Sequence, residues 1–172
     1  NHPKYVLPFL KAIAAELKLS HPAAGMWVSL QGFSDEEVNY FYEYLEKYQP
    51  NWLAGVVTGP SSPDLASTRF RLPKQYKHRH YPDITHTVRC QYPTENWDQA
   101  FALTEGREVS NPQPIYYARI HQRFAHLTDG SIAYSDGVHD DVNKVVWSQK
   151  SVDPSKEVRE VLVDYARFFF GH

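Results

Sequence analysis

The sequence predicts an α/β chain built like the carboxyl-terminal half of a (β/α)8 barrel, with a small open α/β sheet as the alternative. Short apolar runs bounded by Gly, Pro and polar residues alternate with segments whose apolar residues recur every three or four positions, the pattern of parallel strands joined by crossover helices. The order reads α-β-α-β-α-β-loop-α-β-α, and four strand–helix units make half of an eight-unit barrel. A chain of 172 residues with 42% hydrophobic residues is long enough for one core. The expectation is therefore a single unit spanning residues 1–172, a half-barrel belonging to a larger catalytic domain.

Residues 4–19 place Val6, Leu10, Ile13 and Leu17 on one helical face, and Ser20-His21-Pro22 closes that helix. Residues 25–33 read as a buried strand and a turn. Ser34 followed by Glu37 forms a capping-box pattern that opens a helix over 35–48, with Val38, Phe41, Tyr42 and Leu45 as its stripe. A second strand covers 52–58 and stops at Gly59-Pro60, and a short helix follows near 62–71. A third strand is expected over 77–87, weakened by Pro82, which cannot donate to a ladder. From Thr87 to Ser110 no element stands out, although Tyr92, Trp97 and Phe101 give that stretch the anchors of an ordered functional loop. Asn111-Pro112 opens a further helix with Tyr117, Ile120 and Phe124 on one side. The fourth strand is expected over 130–135. Asp153-Pro154 then caps a last helix carrying Val158, Val161, Leu162, Tyr165 and Phe169, stopped by Gly171.

Composition removes several function classes. The formal net charge of −2 gives no basic field for nucleic acid, and no apolar run approaches the ~20 residues that span a bilayer. The single cysteine, Cys90, excludes an internal disulfide framework and a Cys-rich zinc module. The compartment stays open between cytoplasmic and secreted bacterial. The chain starts at Asn1 rather than Met and carries no signal-peptide pattern, so the expectation is a piece of something longer. There is no Walker loop, no G-x-G-x-x-G, no G-x-S-x-G elbow and no H-E-x-x-H.

Barrel enzymes place their chemistry at the carboxyl ends of the strands. Here those ends carry Gln31, Thr58, Asp83 with His86, and Ser135 with Asp136. Around them stand Glu105 in the long loop and Asn143 after the fourth strand, with Tyr92, Trp97 and Tyr134 as exposed rings. Carboxylates among aromatic faces suit a sugar site, because two acids handle the proton and nucleophile while rings stack on the apolar faces of pyranoses. Asp136, Asp83 and Glu105 are the candidate catalytic acids. Gln31, His86, Tyr92, Trp97, Tyr134 and Asn143 are the candidate substrate contacts. Five of these have a plainer alternative: Asp136 and Asp83 as turn residues, Glu105 as a solvated charge, Tyr92 and Trp97 as packing for the loop.

Two other chemistries compete. His78-Arg79-His80 has a metal-binding spacing that amidohydrolase barrels use on their first strand, but here it precedes the third, so a solvated basic connection is expected and no metal or other cofactor is assigned. His121 and His126 fall on a predicted helix as structural or exposed residues, and Cys90 near His86 offers only a lone thiol beside an imidazole.

Trp27-Val28-Ser29-Leu30-Gln31-Gly32-Phe33, Tyr81-Pro82-Asp83-Ile84-Thr85-His86, and Tyr134-Ser135-Asp136-Gly137 with Asp140-Asp141-Val142-Asn143-Lys144 resemble the later strands of bacterial glycoside-hydrolase-type (β/α)8 barrels, in the N-acetylhexosaminidase-like or an uncharacterised group. The resemblance implies a glycosidase whose seventh-strand carboxylate is Asp83 and whose fourth-strand groups precede this chain. The expected partners are a carbohydrate ligand and the missing half-barrel or another chain, with no nucleic acid and no membrane. Kept beside the glycosidase are a non-catalytic carbohydrate-binding or assembly domain and a metal-dependent amidohydrolase-like hydrolase.

Overall fold

The computed structural model describes residues 2–96, 98–104, 110–133 and 141–171. The chain divides into two compact units, Asn1–His80 and Tyr81–His172.

The first unit is α/β. Helix α1, Pro3–Ser20, starts where the His2 side chain accepts from the Lys4 amide at 3.1 Å and Pro3 supplies a preset φ. Helix α2, Asp35–Tyr48, matches its predicted limits because its capping box is complete. The Glu37 amide donates to Ser34 Oγ at 3.3 Å, and the Ser34 amide donates to Glu37 Oε2 at 2.8 Å. Strands β1 (Met26–Ser29), β2 (Leu53–Thr58) and β3 (Lys77–His80) form a parallel sheet in the order β1-β2-β3. Helix α3, Leu65–Arg71, begins after Asp64, which accepts from the Ser67 amide at 2.9 Å. Hydrogen bonds from the Ser67 hydroxyl and amide hold the Asp64 carboxyl below its usual range.

One face of this sheet carries Val28, Val56 and His78 in register. Val28 and Val56 join Leu7 and Ala14 of α1 and Val38, Phe41, Tyr42 and Leu45 of α2 in one core cluster. Phe41 and Leu45 are wholly buried, each contributing about 1.5–3 kcal/mol of transfer free energy. The other face carries Trp27, Gly55, Val57 and Arg79, with the Arg79 guanidinium 4.2 Å from the Trp27 ring centroid. Gly55 is required there, since a Cβ would stand 2.6 Å from the Trp27 ring and collide with the Lys77 carbonyl.

The second unit is helical. Helices α4 (Gln99–Thr104), α5 (Pro114–Phe124), α6 (Asp141–Val152) and α7 (Val158–Phe170) are joined by a 3-10 turn, Ala125–Leu127, and irregular segments. Ile84, Tyr117, Ile120 and Trp147 make one buried cluster, and Ala118, Val146 and Val161 make another.

The sequence expectations change in five places. The described residues form a small open sheet of three strands rather than four strand–helix units. The third strand stops at His80, and 81–87 becomes a turn-rich segment after Pro82. No strand forms over 131–133, and residues 134–140 lie outside the described residues. The last helix starts at Val158 with its own capping box from Glu157 and Glu160, because Asp153 is occupied in a turn, accepting from the Ser155 amide and hydroxyl at 2.9 and 2.6 Å. Asn111-Pro112 likewise yields its opening role to Pro114, since the Asn111 side chain is committed elsewhere.

Candidate functional site

Asp83, three residues past β3 in sequence, organises the site. Its backbone follows Pro82, and its side chain turns back onto the amides ahead of it, the Asx-turn habit of aspartate. Asp83 Oδ1 accepts from the Thr85 and His86 amides at 3.3 and 3.2 Å. Both carboxylate oxygens lie 2.8 Å from His86 Nδ1. Asp83 is 1% exposed and His86 5%, so the pair is screened from bulk water. The Asp83 amide donates to Gln91 Oε1 at 3.0 Å, which fixes the far side of the turn.

Two buried asparagines brace this turn. Asn111 Nδ2 reaches the Thr85 and His86 carbonyls at 3.1 and 3.3 Å and the Tyr117 hydroxyl at 3.1 Å. Asn143 Nδ2 donates to the Ile84 carbonyl at 3.0 Å and the Asn111 carbonyl at 2.6 Å, while its Oδ1 accepts from the Gln113 amide at 2.8 Å. Both asparagines are wholly buried. Burial pushes the Tyr117 phenol above its usual range despite the Asn111 hydrogen bond. A carboxylate–imidazole pair held this way fixes the ring tautomer and orientation, which is what proton transfer by histidine requires.

The structure brings three of the candidates to this turn: Asp83, His86 and Asn143. Asn143, expected as a ligand contact, is here a backbone brace. Tyr92 stacks on Phe124 at 6.1 Å between centroids, and burial raises its phenol. Gln31 sits exposed after β1 in the first unit, its amide donating to Ser29 Oγ at 3.2 Å. Asp136, Glu105, Trp97 and Tyr134 lie outside the described residues. Sequence reasoning missed Asn111, Gln91 and Tyr117. The one signal available was the Asp-x-x-His spacing after proline, which marks a turn but not its braces.

The histidine pair corrects the solvated-connection reading. His78 and His80 lie on β3 and are 0% and 2% exposed, because alternate residues of a strand share a face. His78 Nε2 lies 2.7 Å from Thr58 Oγ1. Among the described residues, no group of three or more His, Cys, Asp or Glu side chains is arranged to hold a metal ion, and no helix is long and apolar enough to cross a membrane.

No family model, curated protein or solved structure matches this chain.

Proposed function

We propose that the chain is part of a hydrolase acting on carbohydrate, with Asp83 and His86 as its proton-handling pair. The observation that carries the reading is the buried Asp83–His86 contact, two carboxylate oxygens at 2.8 Å from one ring nitrogen. With Nδ1 bound to Asp83, proton exchange of the imidazole runs through Nε2. In the proposed reaction the pair takes a proton from the attacking water as its oxygen bonds to the anomeric carbon. The glycosidic C–O bond breaks, and the leaving oxygen takes a proton from a second acid, Asp136, with Glu105 as the reserve. Asp83 is then a positioning residue rather than the acid that meets the sugar.

We propose further that the first unit is part of the carboxyl-terminal half of a (β/α)8 barrel. Consecutive strand order and the presence of α1 and α2 in one core cluster with the same sheet face support it, since doubly wound sheets place helices on both faces.

Turnover of a panel of aryl glycosides and oligosaccharides tests the activity. Asp83→Asn and His86→Gln are each expected to lower kcat by about 100-fold or more, with unchanged circular dichroism. Full activity in both variants would remove the pair from the reaction.

A further inference from the structure

Helix α2 carries a second line of side chains beside the one that holds it in the core. Val38, Phe41, Tyr42 and Leu45 are its buried stripe. Tyr40, Tyr44 and Tyr48 recur every four residues, so they follow one another along a neighbouring line of the helix surface. Tyr40 and Tyr44 pack against the core cluster, whereas Tyr48 is 58% exposed. The Tyr44 and Tyr48 ring centroids lie 4.9 Å apart with their planes at 46°. Phenols, unlike phenyl rings, give this line a polar edge as well as apolar faces.

Two cavities of the first unit meet at Tyr44 and Tyr48. The smaller, about 200 Å³, is lined by the three tyrosines with Glu43 and Lys47. The larger, about 580 Å³, adds Trp52, Pro8 and Pro50 as apolar walls, and it has the size of a small-molecule site. Lys47 Nζ lies 5.1 Å from the Tyr48 ring centroid, so the ring faces here already take a polar neighbour.

The rim decides what such a trough takes. Glu43 lines the smaller cavity and Lys11, Gln49 and Asn51 the larger, and among the described residues none of these four side chains makes a hydrogen bond or ion pair. Gln49 stands at φ 42, a left-handed conformation that favours glycine, so the trough keeps an amide side chain where the backbone would be easier without one. A carboxylate and two amides offer acceptors as well as donors, which suits a ligand rich in hydroxyl groups. A proline-rich strand would also lie against tyrosine and tryptophan rings. Its prolines lack N–H groups, however, and would leave Glu43 and the amide oxygens without donors.

We propose that the α2 trough binds a neutral oligosaccharide, whose pyranose rings stack on Tyr44 and Tyr48 while its hydroxyl groups bond to Glu43, Gln49 and Asn51. The ligand class rests on the carbohydrate reading above; the place rests on the tyrosine line and the two cavities. The trough holds a glycan chain and does not cleave it.

Isothermal titration of the whole chain with neutral hexasaccharides of glucose, xylose, mannose and N-acetylglucosamine reads the binding. At least one of them binds. Tyr48→Ala weakens that binding about tenfold or more, and Asn51→Ala about threefold or more, with circular dichroism unchanged. Tyr48→Phe, which keeps the ring, stays within about threefold of the wild type. Failure of all four saccharides to bind, undiminished binding in Tyr48→Ala, or tighter binding of a proline-rich peptide than of any saccharide overturns the proposal. Both substituted positions leave Asp83 and His86 intact. Tyr48-dependent binding without turnover therefore refutes the hydrolase reading alone, and turnover without Tyr48-dependent binding refutes the trough alone.

Discussion

The Asp83 carboxylate accepts from two backbone amides and from the His86 ring, and Asn111 and Asn143 bind the carbonyls of the same turn. A buried polar group that loses its partner bears its full desolvation cost, about 1–3 kcal/mol. Asn143→Ala leaves the Gln113 amide and the Ile84 and Asn111 carbonyls without that partner. Urea unfolding is expected to show a loss of about 3 kcal/mol. A change below about 0.5 kcal/mol would show that the brace is dispensable. His121 gives a pH dependence. Burial, and then the charge of Lys150, lower its pKa below the ordinary value of 6.5. The unfolded chain therefore binds more protons at this position, and its contribution to stability falls as pH drops below about 6.5. Stability measured from pH 7 to 5 should decline more steeply in the wild type than in His121→Gln. Equal slopes would contradict a depressed histidine. At this scale the sequence carried the Asp83–His86 spacing, because both ends of an Asx turn are local. It offered Asn143 only as a ligand contact and Asn111 only as a helix cap, and their bracing role was hidden because Asn143 lies 59 residues from the Ile84 carbonyl it binds.

Helix α2 was legible to its ends, because an N-terminal box of Ser34 and Glu37 and a clean apolar stripe agree with one another. Strand β3 was legible in its start and misread in its end. Lys77, His78, Arg79 and His80 look like a solvated run, yet strand alternation sends both histidines inward and leaves Lys77 and Arg79 outside. Composition alone hides that division. Helix α7 was misplaced at its start because Asp153-Pro154 has the form of a cap, while Glu157 and Glu160 supply the one that is used. The sheet offers a sharper test at Gly55, which lies beneath the Trp27 ring. Gly55→Ala forces the ring and the Lys77 strand apart, and overpacking of this kind costs roughly 1–3 kcal/mol. Unfolding that is unchanged in Gly55→Ala would show that the sheet yields without penalty.

For the whole molecule, alternation of strands and helices foretold an α/β chain with a parallel sheet, and among the described residues that sheet has three strands rather than four. The fourth strand was expected over 130–135, where Ile132 and its small neighbours have strand character; residues 131–133 form no strand, and 134–135 lie outside the described residues. The second unit is held instead by α5, α6 and α7, whose buried residues meet in the clusters around Tyr117 and Val146. Function at this scale depends on whether the Asp83–His86 pair transfers protons or only stabilises a turn. Those two roles separate in one variant, because Asp83→Asn keeps an oxygen for the Thr85 and His86 amides while removing the charge that holds the imidazole. The pH profile of the proposed glycan hydrolysis in Asp83→Asn, set beside the wild type, is the most direct measurement. Proton transfer by the pair requires a kcat lower by about 100-fold with a shifted profile and an intact fold. Wild-type kcat and an unshifted profile would contradict it.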